Sequence, residues 1–322
     1  MGDGVMVTGG LGMVGSHVCR ALVAAGRRPL VYDAGGDTAL IADVVSRCDL
    51  VQGSIGDLAR LMGAVREHRP GAILHFASQV GAQVERFPWA ALQSNLLGTS
   101  TVLECARLTG IRRVLFASSK MVYGLVAQRH RHPTYQPVSE DHPREPADLY
   151  GKLKRATEDV ADHYAQLYGL DVMAFRFGAS FGPGAPGRHK VPVVAMIEAA
   201  MARQPFHFEQ GAEQFDDLCY AGEAAHATMA ALASPPRYGR LRAYNISSGE
   251  LVSLAQMIAV LQEFHPGWQG SAGPGLDYRK TGPGYYFRMD IAKAQEELGF
   301  TPKFNFASAV RDHAAVVGLG GL

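Results

Sequence analysis

The chain has 322 residues, of which 47% are hydrophobic and 19% are charged, a composition that excludes a disordered or fibrous protein and fits a globular one. Its 31 Lys and Arg residues nearly balance 30 Asp and Glu residues, so the net charge of +1 gives no long-range field that attracts nucleic acid or an anionic membrane. We therefore expect neither partner, and any recognition of charge has to be local.

The four cysteines, Cys19, Cys48, Cys105 and Cys219, lie far apart, and no histidine cluster completes a zinc site with them. We expect buried thiols in a reducing compartment and no metal site. An apolar strand begins at Val5 without a basic segment before it, and no apolar run reaches the ~18 residues of a membrane helix. These features predict a cytoplasmic protein without a signal peptide.

Short apolar or β-branched segments alternate with longer helical patterns, which predicts βα units on a parallel sheet. Two long helices are expected to end at Gly110 and Gly169, which suit left-handed C-caps. Six strands with helices between them predict an α/β fold with a Rossmann-type, doubly wound parallel sheet. The predicted strands are residues 5–8, 29–32, 50–52, 72–76, 113–117 and 171–175, and the two helices are residues 89–108 and 150–168.

A glycine-rich loop follows the first predicted strand and reads Thr8-Gly9-Gly10-Leu11-Gly12-Met13-Val14-Gly15. Its glycines allow the backbone to approach a pyrophosphate, and the following helix N-terminus offers free N–H groups. The second strand ends at Asp33, where a carboxylate accepts the ribose hydroxyls of an adenosine. Because Asp33 repels a 2′-phosphate and Ala34 offers no cation, the pattern favours NAD over NADP. The alternative is a structural glycine turn with a surface aspartate.

Tyr150 and Lys154 are four residues apart on a predicted helix and therefore share one face. A nearby ammonium favours the phenolate, which can lower the tyrosine pKa enough for a general base toward a secondary alcohol. The fifth predicted strand leads into Ser118 and Ser119, and ligands bind beyond the carboxyl ends of parallel strands. A serine there could hold the substrate oxygen while Tyr150 takes its proton. The alternative is a surface Tyr–Lys pair and a helix-capping serine.

The amino-acid composition changes after Arg176: residues 178–187 contain four glycines and two prolines. This change predicts a dinucleotide-binding domain over residues 1–177, joined by part of 216–247, and a smaller substrate-binding region over residues 178–322.

The motifs together resemble the extended short-chain dehydrogenases/reductases of the NAD-dependent epimerase/dehydratase family, nearly end to end. Matches of this number and order are specific for the family and much less so for a substrate. They are Thr8 to Gly15, Asp33, His75 to Ser78, Asn95 to Thr99, Ser118 and Ser119 with Val122 to Gly124, Glu140 to Pro143, Tyr150 with Lys154, Arg176, Gly182 and Pro183, Tyr244 to Ile246, and Leu298 to Pro302.

The resemblance implies NAD as cofactor and three catalytic residues, Ser119, Tyr150 and Lys154. In this family, the lysine binds the nicotinamide ribose and lowers the pKa of the tyrosine. The expected cofactor-binding residues are Gly9, Gly12, Met13, Val14, Gly15, Asp33, Ser54, Ile55, Phe76, Ala77, Ser78, Asn95, Ser118, Tyr150, Lys154 and Phe177.

Departures from the family pattern carry information about the substrate. Dehydratases of the family have an Asp-Glu pair where this chain has Lys120 and Met121, and elimination of water needs an acid and a base beyond Tyr150, so dehydration and decarboxylation are not expected. Many nucleotide-sugar enzymes have Asn at the place of Ala179 and Arg at the place of Asp216, and an aspartate there repels a diphosphate. The expected substrate-binding residues are Gln79, Lys120, Met121, Ala179, Lys190, Asp216 and Arg279.

A basic loop over residues 128–132 could meet an acidic substrate or could simply be solvated. We expect an NAD-dependent oxidoreductase that oxidises a secondary alcohol of a sugar-like substrate, working as a (nucleotide-)sugar 4-epimerase. The alternatives are an NAD-dependent dehydrogenase of a free sugar, sugar acid or polyol and, more remotely, a non-catalytic NAD-sensing protein. Family members often dimerise through the helices that match 89–108 and 150–168, so we expect a homodimer.

Overall fold

All six predicted strands are present in the computed structural model, which describes residues 4–184 and 192–318. Their ends lie within two residues of the predicted ends. In chain order, the strands are β1 Val5–Thr8, β2 Leu30–Asp33, β3 Asp49–Gln52, β4 Ala72–His75, β5 Arg113–Ser119, β6 Asp171–Phe177, β7 Ala179–Phe181, β8 Phe206–Phe208, β9 Phe215–Tyr220, β10 Arg242–Ile246, β11 Leu251–Ser253 and β12 Gly270–Ala272.

A parallel sheet of seven strands has the order β10-β6-β5-β4-β1-β2-β3. The connections reverse direction between β1 and β4, and α/β folds bind ligands in the crevice beyond the carboxyl ends of the strands at such a point. The sheet confirms the predicted Rossmann-type fold. Its seventh strand, β10, comes from within residues 216–247, whereas the division into regions 1–177 and 178–322 stays a prediction.

The helix predicted over 89–108 is divided by a π-helical turn, Leu92–Leu97, whereas the one predicted over 150–168 is continuous. Gly110 and Gly169 adopt the left-handed conformation that their C-cap positions require. In chain order, the helices are α1 Met13–Ala24, α2 Leu58–His68, α3 Ala82–Arg86, α4 Pro88–Ala91, α5 Gly98–Thr109, α6 Leu149–Tyr168, α7 Pro192–Met201, α8 Ala221–Ala233, α9 Leu254–Phe264, α10 Ala292–Leu298 and α11 Phe306–Val316.

Two hydrophobic cores lie on opposite faces of the large sheet, because successive side chains of a strand point to opposite sides. Val5 and Val7 of β1 pack with α1, α8 and α10. Met6, between them, packs on the other face with α2, α5 and α6. Helix α6 is thereby held beside β5, and this packing brings Tyr150 and Lys154 to the carboxyl end of the sheet.

A third core joins the elements that follow β6. Strands β7, β9 and β11 form a small sheet, in which β9 pairs in parallel with β7 and antiparallel to β11. Phe181 and Tyr220 pack there with side chains of α7, α9 and α11. Since only Gly178 separates β7 from β6, the small sheet begins at the carboxyl edge of the large one.

The four cysteines are free and buried, as the sequence predicts. Across residues 4–184 and 192–318, we find no helix with the length and apolar character needed to cross a bilayer.

Candidate functional site

The glycine-rich loop connects β1 to α1 in a turn that excludes side chains at two positions. Gly9 has a φ of +72°, and a Cβ at Gly15 would lie 2.1 Å from the carbonyl oxygen of Gly9. The N–H of Gly12 donates to that same oxygen at 3.1 Å. The loop therefore follows a path that a larger residue would block, and it leaves the N-terminus of α1 open to a phosphate group.

Asp33, at the end of β2, faces the loop and accepts hydrogen bonds from the backbone N–H groups of Leu11 and Gly35, both at 3.0 Å. The carboxylate borders a cleft of about 1100 Å³ that runs across the carboxyl ends of the strands. The size of the cleft, its glycine floor and its carboxylate fit a dinucleotide such as NAD. The cleft is lined by Gly9, Leu11, Gly12, Tyr32, Asp33, Ala34, Gly35, Asp37, Gly53, Ser54, Ile55, Gly56, Asp57, Leu58, Phe76, Ala77, Ser78, Gln79, Ala90, Gln93 and Ser94.

Tyr150 stands in the first turn of α6, next to the Ser119 hydroxyl. Burial raises the pKa of Tyr150 to about 12, and interaction with Ser119 opposes this shift without cancelling it. The lowered pKa that the Tyr–Lys spacing predicts is therefore wrong for the protein without ligand. Loss of hydration by the phenolate is the largest cause, and the nearby carboxylate of Asp148 raises the pKa further.

Lys154 is buried one turn after Tyr150. Its ammonium donates to the Ser78 hydroxyl at 3.0 Å and to the carbonyl oxygen of Ala117 at 2.7 Å, and it lies 5.6 Å from the centre of the Tyr150 ring. Burial lowers the pKa of Lys154 to about 8, while Glu158 opposes this shift. The lysine thus links α6 to β5 and to the edge of the cleft.

Asn95 acts from the π-helical turn and holds the segment that follows β4. Its side-chain oxygen accepts from the N–H of Gln79 at 2.8 Å and from the Ser78 hydroxyl at 3.2 Å, and its Nδ2 donates to the Gln79 carbonyl at 2.8 Å. Asn95 therefore positions Ser78, and through it Lys154, from behind the cleft.

A buried carboxylate, Glu158, organises the polar residues behind Ser119. It accepts from the Ser118 hydroxyl at 2.6 Å and binds Arg176 through both oxygens at 3.0 and 2.7 Å. Arg144 adds a third contact at 3.0 Å. These cations keep the pKa of Glu158 low despite its burial.

Three of the predicted substrate-binding residues meet in one buried ionic cluster, consisting of Lys120, Asp216 and Arg279. Lys120 directly follows Ser119, and its ammonium lies 3.3 Å from Oδ1 of Asp216. Nη2 of Arg279 lies 3.0 Å from Oδ2 of Asp216, to which the Tyr278 hydroxyl also donates at 2.8 Å. The cluster lies past the carboxyl ends of β5 and β6, where a substrate of this fold is expected.

A family model described as the NAD-dependent epimerase/dehydratase family matches residues 5–247. The chain belongs to this family. The match confirms both the predicted family and NAD as the cofactor.

Individual relatives include epimerases and a dehydratase. The UDP-glucose 4-epimerase of Rhizobium leguminosarum bv. trifolii is 29% identical and covers 96% of both chains. The dTDP-glucose 4,6-dehydratase of Xanthomonas campestris pv. campestris is 28% identical, over 95% of this chain and 90% of the relative. A structure of UDP-glucose 4-epimerase from Brucella ovis in complex with NAD superposes with a TM-score of 0.82 at 25% identity, over 98% of this chain and 99% of that one.

Eight of the residues predicted to bind the family's cofactor line the cleft, and the predicted substrate residue Gln79 lines it too. Others support it from outside: Met13, Val14 and Gly15 lie in α1, and Phe177 ends β6 beside Ser119. The hydroxyl of Ser118 is directed to Glu158. The eight that line the cleft are Gly9, Gly12, Asp33, Ser54, Ile55, Phe76, Ala77 and Ser78.

Of the remaining predicted substrate residues, Met121 and Ala179 make backbone contacts to other groups. The N–H of Met121 donates to the Ser119 hydroxyl at 3.2 Å, and Ala179 is buried in β7 opposite Leu218. Lys190 lies outside the described residues. In the basic loop, His130 is buried and accepts from Nε of Arg129 at 2.9 Å, so this loop is partly packed.

Sequence patterns missed Glu158, although it stands four residues after Lys154 and so shares the helix face of the catalytic pair. They also missed Tyr32, Asp37 and Gln93, which line the cleft. Tyr32 immediately precedes Asp33, and this position was the available signal for it.

Proposed function

We propose that the chain is an NAD-dependent sugar 4-epimerase that takes a nucleotide sugar or a related sugar. The observation that carries the proposal is the placement of Ser119 beside Tyr150 at the carboxyl end of β5, with Lys154 one helical turn away. Full-length similarity to UDP-glucose 4-epimerases supports it.

Different residues have different roles in the oxidation of a secondary alcohol. Ser119 orients the substrate hydroxyl, and Tyr150 takes its proton as general base. Gly9, Gly12, Asp33 and Ser78 would hold the cofactor, and Lys154 would bind its ribose. Bound NAD supplies the hydride acceptor and a positive charge that favours the phenolate. Tyr150 would return the proton to the substrate oxygen when the ketone is reduced from its opposite face.

Dehydration is not part of the proposal, although the family includes dehydratases. Elimination requires an acid and a base besides Tyr150. The residues that follow Ser119 are Lys120, whose ammonium is paired with Asp216, and Met121, which has no ionisable group.

Replacing Tyr150 by Phe tests the proposal, because Phe keeps the ring and removes the proton acceptor. With NAD and candidate sugars, we expect kcat to fall by about 10²- to 10⁴-fold while NAD affinity is kept. Tyr168→Phe, at the exposed end of the same helix, is the control. Undiminished turnover in Tyr150→Phe contradicts the proposal, whereas an isomerised product without net NADH supports epimerisation.

A dehydrogenase of a free sugar, sugar acid or polyol is the second candidate, and one observation favours it. Asp216 is fully buried between Lys120 and Arg279, which leaves those cations less available to a diphosphate. Net accumulation of NADH with a free sugar or sugar acid would support this candidate over the epimerase.

Two further proposals concern the oligomeric state and the cellular location of the protein. We propose a homodimer that forms through α4, the π-helical turn, α5 and α6, because these segments expose Trp89, Leu97, Leu108, Leu167 and Tyr168. The four free, buried cysteines suit a reducing compartment, and on that ground we propose the cytoplasm.

A further inference from the structure

The ionic cluster holds more positive than negative charge. Lys120 and Arg279 face one carboxylate, Asp216, which is fully buried and also accepts from Tyr278. The next residue, Asp217, has one carboxylate oxygen bonded to the N–H of Met289 at 2.7 Å. Burial raises the pKa of Asp217 to about 7, so its charge offsets the cations only in part near neutral pH, although burial also lowers the pKa of Lys120.

Arg279 has hydrogen-bonding capacity that the described residues do not use. Its Nε and Nη2 are buried without a hydrogen-bond partner among residues 4–184 and 192–318, although Nη2 keeps its ion pair with Asp216. One face of the guanidinium packs on the Tyr286 ring at 4.5 Å. A buried guanidinium with free donors favours an acceptor, and a carboxylate matches its planar donor edge.

We propose that Asp216 is an internal counter-ion that leaves this cluster able to accept one substrate carboxylate, so that the substrate is a sugar acid. The proposal rests on the proposed oxidation at Tyr150 and names its substrate class. A nucleoside diphosphate brings two negative charges and would meet Asp216 at close range, which costs binding energy in a buried site. A neutral sugar would provide no anionic partner for the cation that Asp216 does not neutralise.

The position of the cluster supports this role. Lys120 directly follows Ser119 in the chain, so the cluster begins beside the serine, and in this proposal one small molecule brings both its carboxylate to the cluster and its hydroxyl to Tyr150. Lys120 is fixed by Asp216 and by the Phe287 ring, whose centre lies 5.0 Å from its ammonium. Arg279, with its unused donors, is therefore the principal ligand for the carboxylate.

Binding to the NAD complex of Tyr150→Phe tests the proposal without turnover. The probes are glucuronate, glucose, glucose 6-phosphate and UDP, measured by calorimetry. We expect glucuronate to bind about ten- to a hundredfold more tightly than glucose, since a charge-assisted hydrogen bond contributes about 1.5–3 kcal/mol. We expect glucose 6-phosphate and UDP to bind more weakly than glucuronate. Equal binding of glucuronate and glucose, or tighter binding of either phosphate compound, overturns the proposal.

Two variants, made in the Tyr150→Phe background, assign the effect to the cluster. Arg279→Gln should lose the preference for glucuronate, whereas Arg288→Gln, the same change at an exposed position nearby, should keep it. Asp216→Asn preserves the shape and removes one negative charge, so UDP affinity should rise by about tenfold or more. Retained preference in a folded Arg279→Gln, or unchanged UDP affinity in Asp216→Asn, contradicts the proposal.

These measurements distinguish failure of the proposed oxidation at Tyr150 from failure of the proposed carboxylate subsite. If glucuronate is preferred but Tyr150→Phe does not impair turnover, the proposed function fails and the subsite remains. If a nucleotide sugar is turned over in a Tyr150-dependent way and glucuronate is not preferred, the subsite assignment fails and the proposed chemistry remains.

Discussion

The ammonium of Lys154 donates a hydrogen bond to the carbonyl oxygen of Ala117, at a distance of 2.7 Å. Ala117 lies two residues before Ser119 on β5, and Lys154 lies one turn after Tyr150 on α6. The bond therefore fixes the strand that carries the serine against the helix that carries the tyrosine.

Lys154→Met should lower kcat by about 10²-fold or more, within the range for loss of acid–base support. The variant removes the ammonium near Tyr150 and leaves the Ala117 carbonyl without this donor. Steady-state rates at saturating NAD measure the effect. Lys152→Met, on the exposed side of the same helix, should change kcat by less than about twofold, and a similar loss in both variants argues against a specific role for Lys154.

Glu158→Gln should lower the free energy of unfolding by about 3 kcal/mol, because it leaves Arg176 buried without its charged partner. Urea unfolding measures the change. Asp159→Asn makes the equivalent substitution on the half-exposed neighbour and should cost less than about 1 kcal/mol. Equal stability of the two variants would show that the buried network contributes little.

Asp217 makes stability depend on pH. Its pKa is raised from 3.8 to about 7, so between these values the folded protein binds more protons at this group than the unfolded chain does. Its contribution is present below about pH 4 and is lost as pH rises through about 7. Asp217→Asn lacks this titration.

As pH rises from 5 to 8, the original protein should lose folding stability that the Asp217→Asn variant keeps. The difference in free energy of unfolding between the two proteins should grow by at most about 3 kcal/mol over this range. Urea unfolding at both pH values measures the gain. Asp141→Asn, at an exposed site, should show no such change, and a gain of zero in Asp217→Asn refutes the titration of Asp217.

Cofactor selectivity should depend on Asp33, because its carboxylate repels a 2′-phosphate. We expect NAD to bind about a hundredfold or more better than NADP, a difference of about 3 kcal/mol. Asp33→Ala should reduce the ratio to about tenfold or less, as measured by fluorescence titration. Asp37→Ala removes a charge from the same cleft as a control, and a matching loss there points to general electrostatics.

The proposed homodimer should be sensitive to charge on its exposed apolar helices. Leu97 is 49% exposed in the π-helical turn, and Leu97→Glu should convert a dimer to a monomer in size-exclusion chromatography with light scattering. Leu125→Glu, at a loop position that is 59% exposed, should leave the mass unchanged. A monomer before any substitution removes the proposal.

The strands and the glycine-rich loop could be predicted because their signals are local: alternating or apolar runs, glycines and a following helix. The ionic cluster could be predicted only as separate residues, since Lys120 and Asp216 are 96 positions apart and meet through folding of the small sheet. The pKa of Tyr150 was predicted in the wrong direction, because helical spacing reports the neighbouring charge and not the loss of water.

The π-helical turn at Leu92–Leu97 also bears on how insertions act in this chain. A wide turn holds one residue more than an α-helical turn, and each residue of an α-helix advances the direction of the side chains by about 100°. Deleting one residue there would rotate α4 against α5 by about 100°, and would turn the Asn95 side chain away from Ser78 and Gln79, which it now binds. A single extra residue thus lets one continuous segment direct an amide to the backbone of Gln79 behind the cleft and a leucine to the outside.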